Sequence, residues 1–392
     1  MPGNPTHSRS HTRSLTGLLA PALVLITTSA TYAEEARLDD VRAFADMIQL
    51  IRDHYVEEIP ETELMRLAMQ GLAGGLDDHS GWLPPRRFRE HDDGSRGRQG
   101  GIGAAFDIRD QRLYVSELSP DGPAEKAGIL PGDQLLAVDD EPVRGRALHR
   151  SIEAIGGEVG TTVELRLRGA GDAPREVQLE RAYIPVDSVD GHWLAPGTAY
   201  LAISHFNDHS ATDFERELER LAAMPESAPV AQVVIDLRDN RGGVLPPALA
   251  IADGFLDEGL VVETRGRTPS TRMEYIAQPG QWHPDAAVAV LVGPLTASSS
   301  EILAGALQDH GRARVFGMNS FGKGTVQSVV PLRNGSALKF TTAKYYTPSG
   351  REIEGSGIKP DIVVEGGVHP VGKLDDPVVA VAYAALTGAE SD

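Results

Sequence analysis

The chain has 392 residues, 41% hydrophobic and 24% charged, which is too long for one ordinary domain and apolar enough for more than one core. With 37 basic against 56 acidic side chains its formal net charge is −19, and this disfavours nucleic acid as a partner, because phosphate neutralisation needs clustered Lys and Arg. There is no cysteine, so disulfides, thiolate metal sites and a thiol nucleophile are excluded together.

Residues 1–33 read as an export signal. Arg9 and Arg13 give a basic start, an apolar stretch runs from Leu15 to Ala30, and the small residues Thr31 and Ala33 precede Glu34. The apolar run is short for a retained span of about 20 residues, so a cleaved signal is favoured over an anchor. A periplasmic location follows as an expectation.

Residues 34–95 read as a helical segment and linker. Val41, Phe44, Ala45, Ile48, Leu50 and Ile51 recur at helical spacing, and Leu64, Leu67, Ala68 and Leu72 repeat the pattern. Gly81, Pro84 and Pro85 break it, and the polar stretch Arg86–Gln99 is read as the linker. Residues 96–182 mix short strands with two short helices; Val163–Leu167 and Val177–Leu179 alternate as half-buried strands do. From residue 183 to 366 strand-then-helix units take over. The runs Val233–Ile235 and Val288–Val292 each precede a glycine-containing turn and a helix, which predicts a mostly parallel sheet buried on both faces. Residues 367–392 form a final segment with one apolar helix over Lys373–Ala389.

Two stretches suggest binding. Gly100, Gly101, Ile102 and Gly103 form a glycine loop whose amides can cradle a terminal carboxylate. About twenty residues on, Pro123–Asp133 reads as a short helix closed at Gly128 and a turn at Pro131-Gly132-Asp133. Either stretch alone is equally a plain turn. Together they resemble a bacterial PDZ domain, and that resemblance implies a groove where a substrate tail adds as an extra strand.

The chemistry lies between Gly293 and Gln327. Thr296-Ala297-Ser298-Ser299-Ser300-Glu301 opens a helix, and Ser298 with Glu301 also spells a capping box, the structural alternative to a nucleophile. A serine at a helix start is nonetheless placed where the positive end of the helix steadies negative charge. Further on, glycines flank Lys323 in Phe321-Gly322-Lys323-Gly324-Thr325-Val326-Gln327. A lysine enclosed in that way can lose its proton near neutrality and serve as a general base, whereas a surface lysine in a glycine turn would not.

Read as a pair, these motifs resemble the carboxyl-terminal processing proteases, also called tail-specific proteases. The resemblance covers nearly the whole chain after residue 33. It includes Leu76-Asp77-Asp78-His79-Ser80, Asp236-Leu237-Arg238 with Gly242-Gly243, and Tyr346-Thr347-Pro348-Ser349-Gly350. It implies an α+β multidomain fold with an N-terminal helical segment, a PDZ domain and an α/β protease core of the ClpP/crotonase-like type. The family's spacing of 25 residues between nucleophile and lysine selects Ser298 over Ser299 and Ser300, and its assisting glutamine falls on Gln327. Its oxyanion hole would use the amide of Gly243 or Gly242 together with that of Ser299. No cofactor and no metal is implied. The implied partners are protein substrates held by their C-termini, an adaptor lipoprotein of helical repeats, and further copies of the chain. Two positions depart from the family pattern: Asp78 stands where proline is usual, and Ser299 where alanine is common.

Other chemistries fare worse. Gly317–Lys323 nearly matches a phosphate-binding loop, yet Gly324 replaces the Ser or Thr that magnesium needs, and a strand follows where a helix should begin. His205, His209 and Asp213 follow no metalloprotease pattern. The remaining alternative is a PDZ binding protein of the same fold without catalysis.

Overall fold

The computed structural model describes residues 38–143, 148–224, 228–365 and 372–388, so the export-signal segment lies outside the described residues. The chain divides after Ala68 into two compact units. In the N-terminal region, helix α1 (Leu38–His54) carries Asp39 and Asp40 in its first turn and Arg52 and His54 in its last, which suits the helix dipole. Its Val41, Phe44, Met47 and Leu50 are exposed. Helix α2 (Glu61–Gly74) follows.

The stretch expected as a linker is instead ordered. After strand β1 (Gly81–Leu83), helix α3 spans Pro85–Ser95 and β2 spans Arg98–Gly101. Pro84 and Pro85, read as breakers, sit at the N-cap and first helical position, where a missing N–H costs nothing. No residue of α3 is fully buried, so apolar periodicity could not reveal it. Pairs Arg86–Glu90 and Arg96–Asp92 run along its surface at 2.8 and 3.1 Å.

The PDZ region comprises β3 (Ala104–Arg109), β4 (Arg112–Leu118), α4 (Pro123–Lys126), β5 (Gln134–Val138), β6 (Glu141–Pro142), α5 (Leu148–Ile155), β7 (Thr162–Arg168) and β8 (Arg175–Glu180). Its antiparallel sheet runs β3-β4-β5-β7-β8. Leu113, Val115, Ile129, Leu135, Leu165 and Leu167 fill one core beneath it. Gly128, at φ 71°, ends α4 as expected from its place in the sequence. Buried Arg181 donates to the carbonyls of Ala154, Ile155 and Thr162, closing the last turn of α5. Strand β9 (Ala182–Pro185) then pairs back with β2.

The rest of the chain continues with β10 (Val189–Ala195), β11 (Thr198–Ile203), α6 (Ser210–Ala222), β12 (Gln232–Asp236), α7 (Leu245–Phe255), β13 (Leu260–Gly266), β14 (Met273–Ile276), β15 (Ala287–Val292), α8 (Ser299–Asp309), β16 (Ala313–Gly317), β17 (Thr325–Pro331), β18 (Ala337–Tyr346), β19 (Ile362–Val363) and α9 (Pro377–Thr387). One sheet has the order β10-β11-β12-β15-β16-β19, parallel from β11 onward. Its apolar strands are buried on both faces: Val233, Ile235, Val288 and Val290 pack with α6, α7 and α8, while Val234, Ala289 and Leu291 face α9. A second, antiparallel sheet joins β1, β18, β13 and β14, with β17 on β18.

Helix α9 is therefore the outer layer on one face of the parallel sheet. Val378, Val379 and Ala382 pack against Tyr200, Val234 and Phe316. A buried polar chain fastens it: the Tyr200 hydroxyl donates to Asp236 at 2.5 Å, Arg238 grips Asp236 at 2.6 Å, and Arg238 also meets Asp376 at 2.6 Å. Asp376 caps α9 by accepting from the Val378 amide at 2.9 Å. Replacing Arg238 by Ala leaves two buried carboxylates uncompensated. We expect a loss of about 3–5 kcal/mol in stability, read from the denaturant midpoint.

Candidate active site

Three loops at the carboxyl ends of β12, β15 and β16 meet at one place, the usual location for a site on a parallel sheet. The β15 loop delivers Ser298 immediately before α8. Ser298 has φ 60° and ψ −121°, a conformation that a non-glycine residue holds only when its surroundings impose it. Its two neighbours are unavailable. Ser300 is fully buried and its hydroxyl donates to the Asn240 carbonyl at 3.0 Å, and Ser299 is also buried. Only Ser298 of the three lines the central cavity.

The β12 loop supplies the glycine pair, with Gly242 at φ 95° and Gly243 at φ 149°. A Cβ on Gly242 would lie 2.8 Å from Ser298 Cβ, so only glycine lets the turn approach the serine this closely. The Gly242 amide donates to Asn240 Oδ1 at 2.8 Å. That bond removes Gly242 from the expected oxyanion donors. Among the described residues the Gly243 and Ser299 amides have no acceptor. Fully buried Asn240 organises the turn, since its carbonyl also accepts from the Ala297 amide at 3.0 Å.

Glu301 turns out to be more than a helix cap. Fully buried, it accepts from the Ser298 amide at 2.7 Å, the Ser320 hydroxyl at 2.5 Å, the Gly322 amide at 2.7 Å and the Lys323 amide at 2.9 Å. One carboxylate thus ties the serine loop to the lysine loop. Burial pushes its pKa up, and the four donors partly offset that rise. The sequence spacing showed only the Ser298 half of this arrangement.

Ser298, Lys323 and Gln327 all line one cavity of about 1590 Å³. No hydrogen bond joins Ser298 to Lys323 among the described residues. Gln327 is held through both amide hydrogens, to Thr325 Oγ1 at 3.1 Å and Thr341 Oγ1 at 2.7 Å, while its Oε1 is buried without a partner. Lys339 shares the cavity, and burial followed by the nearby charge of Lys323 holds its pKa below the usual lysine range. His91 of α3 lies there too, its pKa lowered by burial and then by Lys339. Nothing in the sequence marked Lys339, because a single lysine on an alternating strand has no signature of its own.

The glycine loop of the PDZ region is shorter than expected. Gly100 and Gly101 belong to β2, opposite Tyr183 and Ala182, which leaves Ile102 and Gly103 (φ 73°) as the turn into β3. Strand β3 is an edge of its sheet. The Gly100 carbonyl accepts from the Gly157 amide at 3.1 Å, and both residues line the cavity that holds Ser298, so β2 forms part of its wall. Among the described residues no cluster of three or more possible metal ligands exists.

A serine at a strained strand-to-helix turn, unengaged amides beside it and a lysine across the cavity define a serine-type peptidase, and the comparisons agree. The profile of Peptidase family S41 matches residues 197–364, and that of the PDZ domain matches residues 114–169. A carboxy-terminal-processing protease of Bartonella bacilliformis is 34% identical over 349 residues, covering 89% of this chain and 80% of the relative. The carboxy-terminal processing protease CtpB of Bacillus subtilis is 32% identical over 333 residues, covering 81% of this chain and 66% of the relative. Among solved structures, the photosystem II D1 C-terminal processing protease is 28% identical with a TM-score of 0.50, covering 86% of this chain and 96% of that one. The chain belongs to the carboxy-terminal processing proteases of peptidase family S41.

Proposed function

We propose that the chain is an exported endopeptidase that takes envelope proteins by their carboxyl-terminal ends and cleaves them through an acyl-enzyme at Ser298. The observation that carries this reading is the single cavity lined by Ser298, Lys323 and Gln327, with the Gly243 and Ser299 amides unengaged beside the serine. Lys323, neutral when working, takes the proton of Ser298 Oγ as the oxygen attacks the scissile carbonyl. The oxyanion is received by the two amides, Lys323 returns the proton to the leaving amine, and water then releases the acyl group. Gln327 steadies the lysine. The substrate tail adds to the open edge of β3, its carboxylate at the Ile102–Gly103 turn.

Export rests on the first 33 residues, and a periplasmic site with it. The exposed apolar face of α1 supports self-association, and an adaptor of helical repeats would deliver substrates. A monomeric mass in light scattering would sink the self-association reading.

A serine-directed fluorophosphonate tests the centre of the proposal. Peptide mapping should place the adduct on Ser298. An adduct on Ser299 or Ser300, or none at a reagent excess that labels a reference serine protease, would overturn it. Amidating a substrate's C-terminus should lower kcat/KM by about tenfold or more, as expected when a charge-assisted contact is lost.

A further inference from the structure

The motif Leu76–Ser80 has no part in the mechanism above, yet two contacts lead from it to the loop that carries Lys323. Strand β1, which follows the motif, pairs with β18, and Ser80 Oγ accepts from the Thr341 amide at 3.3 Å. Within the motif the His79 amide donates to Asp77 Oδ1 at 2.9 Å and the Ser80 amide to the Asp77 carbonyl at 3.2 Å, a turn that fixes the His79 backbone. From there the His79 ring reaches Glu354, with Nε2 3.7 Å from Oε1. The other oxygen of Glu354 accepts from the Gly324 amide at 2.7 Å.

Two carboxylates thus hold three successive amides of the lysine loop. Gly322 and Lys323 donate to Glu301 at 2.7 and 2.9 Å, and Gly324 donates to Glu354 at 2.7 Å. Glu301 belongs to the serine side, since it also accepts from the Ser298 amide. Glu354 belongs to a different segment and holds the loop from its other end. The Gly322 carbonyl accepts from the Gly355 amide at 2.9 Å, and the Gly324 carbonyl from the Tyr345 amide at 2.7 Å. The loop lies so close to this segment that a Cβ on Gly324 would stand 2.2 Å from the Glu354 amide nitrogen. The glycine after Lys323 therefore serves close approach rather than freedom. Hydrogen bonds to a carboxylate are about twice as strong as neutral ones, so Glu301 and Glu354 are the strongest ties on the lysine backbone.

We infer that Glu354 is a positioning residue, holding Lys323 toward Ser298 through the Gly324 amide, and that His79 sets the direction of the Glu354 carboxylate. The inference rests on the reading of Lys323 as base. Glu301 secures the front of the loop to the serine helix, and Glu354 secures the back. Without Glu354 the Gly324 peptide is free to turn, and the lysine side chain that starts one residue earlier turns with it. A base displaced by a fraction of its reach loses rate without losing substrate affinity. Glu354 is partly open to solvent, with 29% of its side chain exposed, so without the His79 ring beside it the carboxylate is free to rotate away from the loop.

The test is steady-state cleavage of one peptide by the enzyme and by Glu354→Ala, Glu354→Gln, His79→Ala and His79→Ala combined with Glu354→Ala, together with amide hydrogen exchange over residues 321–327. Glu354→Ala should lower kcat about tenfold with KM unchanged, and should quicken exchange in the loop. Glu354→Gln keeps an acceptor oxygen and should recover most of the kcat. His79→Ala should give a smaller loss, and none when Glu354 is already Ala. Thermal melting separates these effects from misfolding. A Glu354→Ala enzyme with full kcat or unchanged exchange, a Gln variant no better than Ala, or His79 and Glu354 losses that add in full would overturn the inference while leaving the mechanism in place. Cleavage retained by Lys323→Ala would instead remove the reading on which it rests.

Discussion

Replacing Ser298 by Ala should reduce cleavage of a loosely folded protein with an apolar C-terminus to background, a fall of about 10⁴ or more in kcat, as expected for the loss of a covalent nucleophile. Neither neighbour can substitute. The Ser300 hydroxyl is bound to the Asn240 carbonyl at 3.0 Å inside the core, and Ser299 is buried. Lys323→Ala should be comparably inactive, and the double variant should be no worse than either alone, because nucleophile and base act as one unit. The Ser298→Ala protein should still bind a peptide ending in an apolar residue. Cleavage retained by Ser298→Ala, in protein free of contaminating protease, would displace the whole mechanism. Normal peptide binding with no cleavage even by the unaltered chain would favour a binding protein on the same fold.

Gly243→Ala should be nearly as damaging for a different reason. Gly243 stands at φ 149°, and a Cβ there would overlap the Phe206 carbonyl that closes the turn against the end of β11. The turn must shift, and with it the amide proposed to receive the oxyanion. Losing one such donor lowers kcat by about 10²–10³. Gly242→Ala should also be harmful, since its Cβ would lie 2.8 Å from both the Ala297 carbonyl and Ser298 Cβ. The mechanisms differ: the Gly243 variant should keep its fluorophosphonate reactivity only weakly, whereas Asn240→Ala, which frees the Gly242 amide, should slow acylation by loosening the turn. A Gly243→Ala enzyme within twofold of normal kcat would place the oxyanion elsewhere.

The runs Val233–Ile235 and Val288–Val292 announced buried parallel strands because such strands are apolar on both faces, and both are found in the sheet. Helix α3 escaped notice because it buries no residue completely and its prolines, read as stops, serve as its start. Glu301 was read as a cap, since the helix periodicity reports only neighbours within one turn. Its contacts to Ser320, Gly322 and Lys323 depend on how two distant loops fold over it.

By itself, then, the order of residues pointed to the class of chemistry and to a binding module followed by a parallel sheet, through periodicity, capping and glycine turns, while the resemblance to a known family singled out Ser298 and Lys323 as candidates. Only the tertiary structure decided which glycine amide is free, which of three serines faces the cavity, and that Glu301 joins the serine loop to the lysine loop. A hydrogen bond is spent once. Which group spends it is settled by proximity in space, and proximity between segments far apart in the chain is created only when the sheet and its loops close.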